Sequence, residues 1–167
     1  VLFGGSDPSD FTYRAYNLAK KMHADFPHIN FRFVLGAGYD NHVHKLSDDE
    51  ACKIKVVTDI KRVSDALSDA DLAITSQGRT VYELAAMGVP AIVLAQNERE
   101  TKHTFAQMHN GFLNLGMGNQ VSDETLEKTF RFVVETPQIR AEMRNLMLSH
   151  DLRKGIERVK QLILADE

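Results

Sequence analysis

An α/β domain built on a parallel sheet is the fold class this sequence predicts, on three observations. Short apolar runs alternate with stretches of helical periodicity from Val1 to about Gly118. Polar turns rich in Gly, Ser and Thr follow the apolar runs. The stretch from Asp69 to Leu94, DADLAITSQGRTVYELAAMGVPAIVL, spells one complete strand–helix–strand unit. Strands alternating with helices at this spacing imply a Rossmann-like parallel sheet with helices on both faces.

The central unit is the clearest. Leu72 to Ile74 is a short apolar strand and Thr75 to Gly78 a small polar turn. Arg79 to Met87 is predicted as a helix, Gly88 stops it, and a second apolar strand follows Pro90. Where that first strand becomes a helix, unpaired backbone N–H groups and the positive end of the helix dipole point outward, and little side chain stands in the way. A phosphate fits such a place.

Upstream, Val1 to Phe3 reads as the end of an apolar strand and Gly4-Gly5-Ser6-Asp7-Pro8 as a turn whose glycines admit a close backbone or ligand. From about Phe11 the apolar residues Ala15, Leu18, Ala19, Met22 and Phe26 share one helical face, and Pro27 ends that helix. Phe31 to Leu35 is the next strand, closed by Gly36-Ala37-Gly38. Tyr39 to Lys53 is polar and irregular, with Leu46 to Cys52 a candidate short helix. Ile54 to Val57 is strand-like, and Asp59 to Ser68 is predicted to be a helix burying Ile60, Val63 and Leu67.

Downstream of the central unit, Glu98 to His109 is predicted helical, Gly111 stops it, and Phe112 to Leu115 is a last short strand. Past Gly118 the alternation ends. Ser122 is a helix N-cap with Asp123 and Glu124 placed well against the dipole, and Leu126, Phe130, Val133 and Val134 face inward. Pro137 opens another helix with Ile139, Met143 and Leu146 inward. Asp151 is expected to cap a last one that buries Leu152, Ile156, Val159 and Ile163. The organisation is therefore one domain over 1–167, with an α/β core over 1–118 and helical cladding over 119–167.

Composition narrows the function classes. The chain has 167 residues, 43% of them hydrophobic, enough to bury a core. A net charge of -3 and a pI near 6.2 give no broad electrostatic reason for nucleic acid or an anionic membrane as partner. No apolar run approaches the roughly 20 residues of a membrane span. The single Cys52 rules out an internal disulfide and fits a reducing cytoplasm. The abrupt opening on VLFGG, neither a signal peptide nor a start, reads as a piece cut from a longer protein.

These residues also reach a known family. GGSDP after a first strand, then AITSQGRTVYELAAMGVPAIVLA, a polar segment and NGFLNLG together resemble the C-terminal half of the GT-B nucleotide-sugar enzymes. The nearest likeness is to the UDP-sugar hydrolases of pseudaminic acid biosynthesis, of the spore coat polysaccharide type, and a more distant one is to the lipid II-forming N-acetylglucosaminyltransferases. The resemblance implies one half of a GT-B fold that binds a UDP-sugar and meets an N-terminal domain across a cleft. It implies no cofactor, and it places the catalytic base in the N-terminal domain. No zinc motif, P-loop or Ser-His-Asp order here supplies a substitute. The fragment alone is expected to turn over nothing.

The site residues follow from the turn and from the likeness. Ser76, Gly78 and Thr80 stand at the helix start, where hydroxyls and bare N–H groups hold a diphosphate. Glu83, five residues after Gly78, can accept bonds from the two hydroxyls of a ribose, the role its counterpart has in similar enzymes. The alternative is that Ser76 and Thr80 cap a helix and Glu83 is a solvated residue. Arg79, where relatives carry a small residue, either meets the diphosphate or projects into water. Gly5 and Ser6, with Gly4, line the crevice by analogy, or simply turn the chain into a helix capped by Asp7 or Ser9. Gln96, Asn97 and Glu98 match the place where relatives hold the sugar, Glu98 standing where a glutamine is usual. His103 reads as a surface or half-buried histidine, and His42-Val43-His44 as a polar loop rather than a metal site.

Two functions from different classes stay open. One is the nucleotide-sugar half of a hydrolase or glycosyltransferase in surface-glycan or nonulosonic (sialic or pseudaminic) acid biosynthesis. The other is a non-catalytic sensing or scaffolding module appended to a CMP-sialic-acid-type cytidylyltransferase.

Overall fold

Leu2 stands at the centre of a parallel sheet. The computed structural model describes residues 1–58 and 60–165. Its strands are β1 (Phe31–Val34), β2 (Ile54–Val57), β3 (Ala73–Ser76), β4 (Ala91–Ala95) and β5 (Phe112–Met117). β1 pairs with β2, and β3 with β4 and β4 with β5, all parallel. Leu2 bridges the two groups, pairing in parallel with Val34 on one side and Thr75 on the other. Counting the Leu2 segment as the first strand, the spatial order runs third, second, first, fourth, fifth, sixth, which is the doubly wound Rossmann order.

Alternation of side chains divides the core into two layers. Phe3, Phe33, Ile74, Ile92 and Leu94 point to the face covered by α1 (Phe11–Met22) and α5 (Asp123–Glu135). Leu2, Val34, Ala73, Val93 and Phe112 point to the other, under α3 (Thr80–Met87) and α6 (Pro137–Ser149). Such two-sided burial explains why the strands read as continuous apolar runs.

Several expected elements have the predicted ends. Gly88 terminates α3 at φ 67, and Ser122 Oγ accepts from Thr125 N at 3.1 Å to cap α5. Pro137 opens α6, whose buried residues are Met143 and Met147. α1 is an exception: expected to run to Pro27, it ends at Met22, four residues short of Phe26, in a turn where Phe26 N donates to Met22 O at 2.9 Å.

Four expectations are corrected. Ser76 belongs to β3, paired with Leu94, so the strand runs two residues further than its apolar run. Leu46 to Cys52 is not a helix: Asp49 Oδ1 accepts from Cys52 N at 3.0 Å and Asp49 bridges Ile54, which folds the segment into a turn. The helix before β3 is only α2 (Val63–Leu67), the expected start at Asp59 lying outside the described residues. The helix predicted from Glu98 to His109 stops as α4 (Glu98–Thr101): Lys102 N and His103 N donate three residues back, to Arg99 O and Glu100 O, and beyond them the carbonyls of His103, Phe105 and Ala106 accept from the side chains of Gln77, Asn110 and Asn114.

The last helix departs most. α7 (Gly155–Ala165) buries none of its residues, and Ile156, Val159 and Ile163 are 69%, 56% and 63% exposed. Asp151 makes no side-chain cap and instead sits near Lys154 and Arg158. The apolar stripe is real, but it covers neither the sheet nor α6. No helix among the described residues is long and apolar enough to cross a membrane.

Candidate functional site

In an open doubly wound sheet, ligands lie outside the carboxyl ends of the strands where the order reverses. Here that point falls between the Leu2 segment and β3. Its two walls are the turns sequence reasoning singled out. Gly4, Gly5 and Ser6 leave the Leu2 segment and are exposed, and Ser76-Gln77-Gly78 leaves β3 into α3.

The first wall is held from behind. Gly36 packs so closely that a Cβ there would lie 2.3 Å from the carbonyl oxygens of both Gly4 and Gly5, and Gly38 N donates to Gly5 O at 2.8 Å. Only a residue without a side chain admits that approach. Asp7, not Ser9, starts α1: its buried carboxylate accepts from Phe11 N at 3.1 Å and Thr12 N at 2.6 Å. Burial pushes this carboxyl above the ordinary carboxylate range, and the bonds from Thr12 and Phe11 oppose that shift.

The second wall keeps its amides free of side-chain caps. The backbone bonds that begin α3 run from Val81 N to Gly78 O and from Tyr82 N to Arg79 O, so the N–H groups of Gly78, Arg79 and Thr80 precede the first helical bond. Arg79 occupies the cap position without a side-chain bond, and neither Ser76 nor Thr80 caps the helix. Ser76 is buried beside Gly78, whose added Cβ would meet Ser76 Oγ at 3.3 Å. Glu83 and Arg79 are exposed on the first turn of α3.

Residues after β4 join the two walls. Gln96 Nε2 donates to Phe3 O at 2.7 Å, and Ser9 Oγ donates to Gln96 O at 3.1 Å. Asn97 caps α4, accepting from Glu100 N, and Glu98 lies exposed in its first turn. Two participants, Gln77 and Glu100, escaped sequence reasoning, and His103 is half-buried as expected. Gln77 is 1% exposed and donates to His103 O at 2.6 Å, while His103 Nδ1 lies 2.8 Å from Gln77 O. Since a carbonyl only accepts, that ring nitrogen carries the proton. Glu100 accepts from Gln96 N at 2.8 Å and leans toward Gly78. Alternation of apolar and polar residues marked the helix but could not show which polar ones turn back to the crevice.

The two-histidine loop stands apart. His42 Nδ1 meets the carboxylate of Asp10 and its ring stacks on Tyr13 at 4.4 Å, while Tyr39 donates to the other oxygen of Asp10 at 2.6 Å. A concavity of about 770 Å³, lined by Val1, Arg32, Asp69 and Arg140 among others, opens at the amino ends of the strands. It is on the opposite edge from the switch point.

An open doubly wound sheet, with an exposed glycine loop and uncapped helix amides at the carboxyl ends of the segments that flank its switch point, defines a Rossmann-like class of domain. Within that class the chain belongs to one family: residues 1–159 match the Glycosyltransferase family 28 C-terminal domain. It is 32% identical over 129 residues, 75% of this chain and 38% of the relative, to the spore coat polysaccharide biosynthesis protein SpsG of Bacillus subtilis. It is 35% identical over 102 residues, 59% of this chain and 20% of the relative, to the uncharacterized protein MJ1062 of Methanocaldococcus jannaschii. The fold resembles the crystal structure of MurG from Acinetobacter baumannii with a TM-score of 0.64 at 17% identity, covering 96% of this chain and 49% of that one. The chain thus spans less than half the length of each of these proteins.

Proposed function

We propose that this chain is the UDP-sugar-binding half of a two-domain sugar-nucleotide hydrolase or glycosyltransferase in surface-polysaccharide or nonulosonic acid biosynthesis. One observation carries the reading: the exposed Gly4-Gly5-Ser6 loop and the uncapped amides of Gly78 to Thr80 follow the carboxyl ends of neighbouring parallel segments, at the switch point of a family 28 C-terminal domain. In it, the amides and Ser76 hold the diphosphate, Glu83 holds the ribose hydroxyls, and Arg79 adds a charge-assisted contact. Gln96, Asn97 and Glu98 border the sugar. The base and the far wall of the cleft come from a second domain, so this half binds weakly and catalyses nothing alone. Its lone cysteine fits a cytoplasmic setting.

The length of MJ1062, of which this chain matches one fifth, favours a second reading in which the domain is a module appended to another sugar-pathway enzyme such as a cytidylyltransferase. Calorimetric titration with UDP, with CDP and CMP as competitors, tests the first. Saturable UDP binding that Glu83→Ala weakens by about 1–3 kcal/mol supports it. No binding at millimolar nucleotide overturns it.

A further inference from the structure

The parallel sheet has a gap at its amino edge. The segment between β1 and β3 pairs with them only at Leu2, opposite Val34 and Thr75. Toward the amino ends, Phe31 and Arg32 on one side and Leu72 and Ala73 on the other are left facing each other at two strand spacings, roughly 10 Å.

Both edges turn backbone donors into this gap. Phe31 N donates to Lys53 O and Ala73 N to Pro90 O, away from it, so the alternation of a parallel ladder sends the amides of Arg32 and Ile74 inward. The carbonyls of those two residues accept from Val1 N at 2.6 Å and Leu2 N at 3.0 Å, while their amides have no backbone partner among the described residues. Unpaired amides inside a sheet are costly, and a strand supplies what they lack. The gap lies within the cavity of about 770 Å³, whose walls are apolar on both faces of the sheet. Ile29, Phe130 and Val134 stand on the face of α5, and Ala66, Leu67 and Ala70 on the opposite face. Two backbone edges at this spacing fit an extended polypeptide, which adds to a sheet through its main chain and is read by alternate side chains.

We infer that the cavity receives an extended segment of the same protein's polypeptide, which continues the Leu2 segment upstream and completes the central strand between β1 and β3. The residue joined to Val1 accepts from Ile74 N and points as Leu2 does, toward Ala66, Leu67 and Ala70. The one before it accepts from Arg32 N and points as Phe3 does, toward Ile29, Phe130 and Val134. Apolar side chains suit both places. The relatives are long enough to supply such a segment, since this chain spans 38% of SpsG and 49% of MurG. A domain joined to this one from upstream is then tethered through the middle of the sheet. The inference goes beyond the nucleotide reading and does not depend on it.

The test extends the chain ahead of Val1 by Ser-Ile-Val or by Ser-Asp-Asp and follows amide hydrogen exchange and urea unfolding. Either extension can hang in solvent, so the fold itself is not at stake. With Ser-Ile-Val the amides of Arg32 and Ile74 are expected to exchange about tenfold more slowly than in the unextended chain, the scale of one hydrogen bond, and the unfolding midpoint to rise. Ser-Asp-Asp, whose charges the apolar walls reject, should move neither. Equal exchange in all three chains overturns the inference, and so does a slowing that the two extensions share. UDP that shifts the Arg32 and Ile74 amides of the unextended chain gives the cavity to a small molecule and overturns it as well.

Discussion

Gln77 and His103 hold each other reciprocally: the buried Gln77 amide donates to the His103 carbonyl, and the protonated Nδ1 of His103 donates back to the Gln77 carbonyl. The partnership ties the turn that opens α3 to the loop that ends α4, and so fixes the position of the free amides. Gln77→Ala and His103→Ala each remove one of the two bonds. Each is expected to cost about 1–2 kcal/mol in urea unfolding, because a partner is left buried, and each to weaken UDP binding through the displaced turn. Unchanged stability in both would contradict the coupling.

The glycine wall gives a paired prediction. Gly36→Ala puts a methyl 2.3 Å from two carbonyl oxygens and should cost about 3 kcal/mol, since backbone must move. Gly5→Ala meets nothing within 4 Å and should stay within about 0.5 kcal/mol. Equal losses at the two positions in denaturant unfolding would show that Gly36 is not the tight contact.

Asp7 predicts a pH dependence. Its carboxyl is raised in the folded state, so the folded protein holds a proton that the unfolded chain, near the ordinary value of about 3.9, has released. The contribution is fully present below that value and is lost as pH rises through the raised folded value. The stability difference between wild type and Asp7→Asn should therefore shrink as pH increases above about 4, measured by urea unfolding across that range. A difference that grows with pH would reverse the sign.

Exposure of α7 has a direct consequence. Replacing Ile156, Val159 and Ile163 together by Ser should leave the unfolding midpoint of this chain nearly unchanged, within about 0.5 kcal/mol per site. Met147→Ala, at a fully buried position, should cost about 2–5 kcal/mol. A large loss in the triple variant would mean that α7 packs against the domain.

Residues with local causes were the legible ones. Gly88, Ser122 and Pro137 end or begin helices for reasons contained within a few residues, and the two-sided burial of the sheet is written in its apolar runs. The turn that opens α3 was legible for the same reason, although β3 takes in Thr75 and Ser76, which were expected in the turn. What escaped depends on partners distant in sequence. The loop that follows α4 is held by Gln77, whose amide donates to the His103 carbonyl from 26 residues away. Gly36 is constrained by Gly4 and Gly5, more than thirty residues away. The stripe on α7 has the periodicity of a buried helix, and periodicity alone does not say whether a surface exists to receive it.

Amide-resolved NMR of this chain titrated with UDP is the most direct test, because the crevice and the cavity lined by Arg32, Asp69 and Arg140 lie on opposite edges of the sheet. Shifts concentrated at Gly4 to Ser6 and at Gly78 to Thr80 are the predicted result. Shifts centred instead on Arg32, Asp69 and Arg140, or none at millimolar UDP, would contradict it.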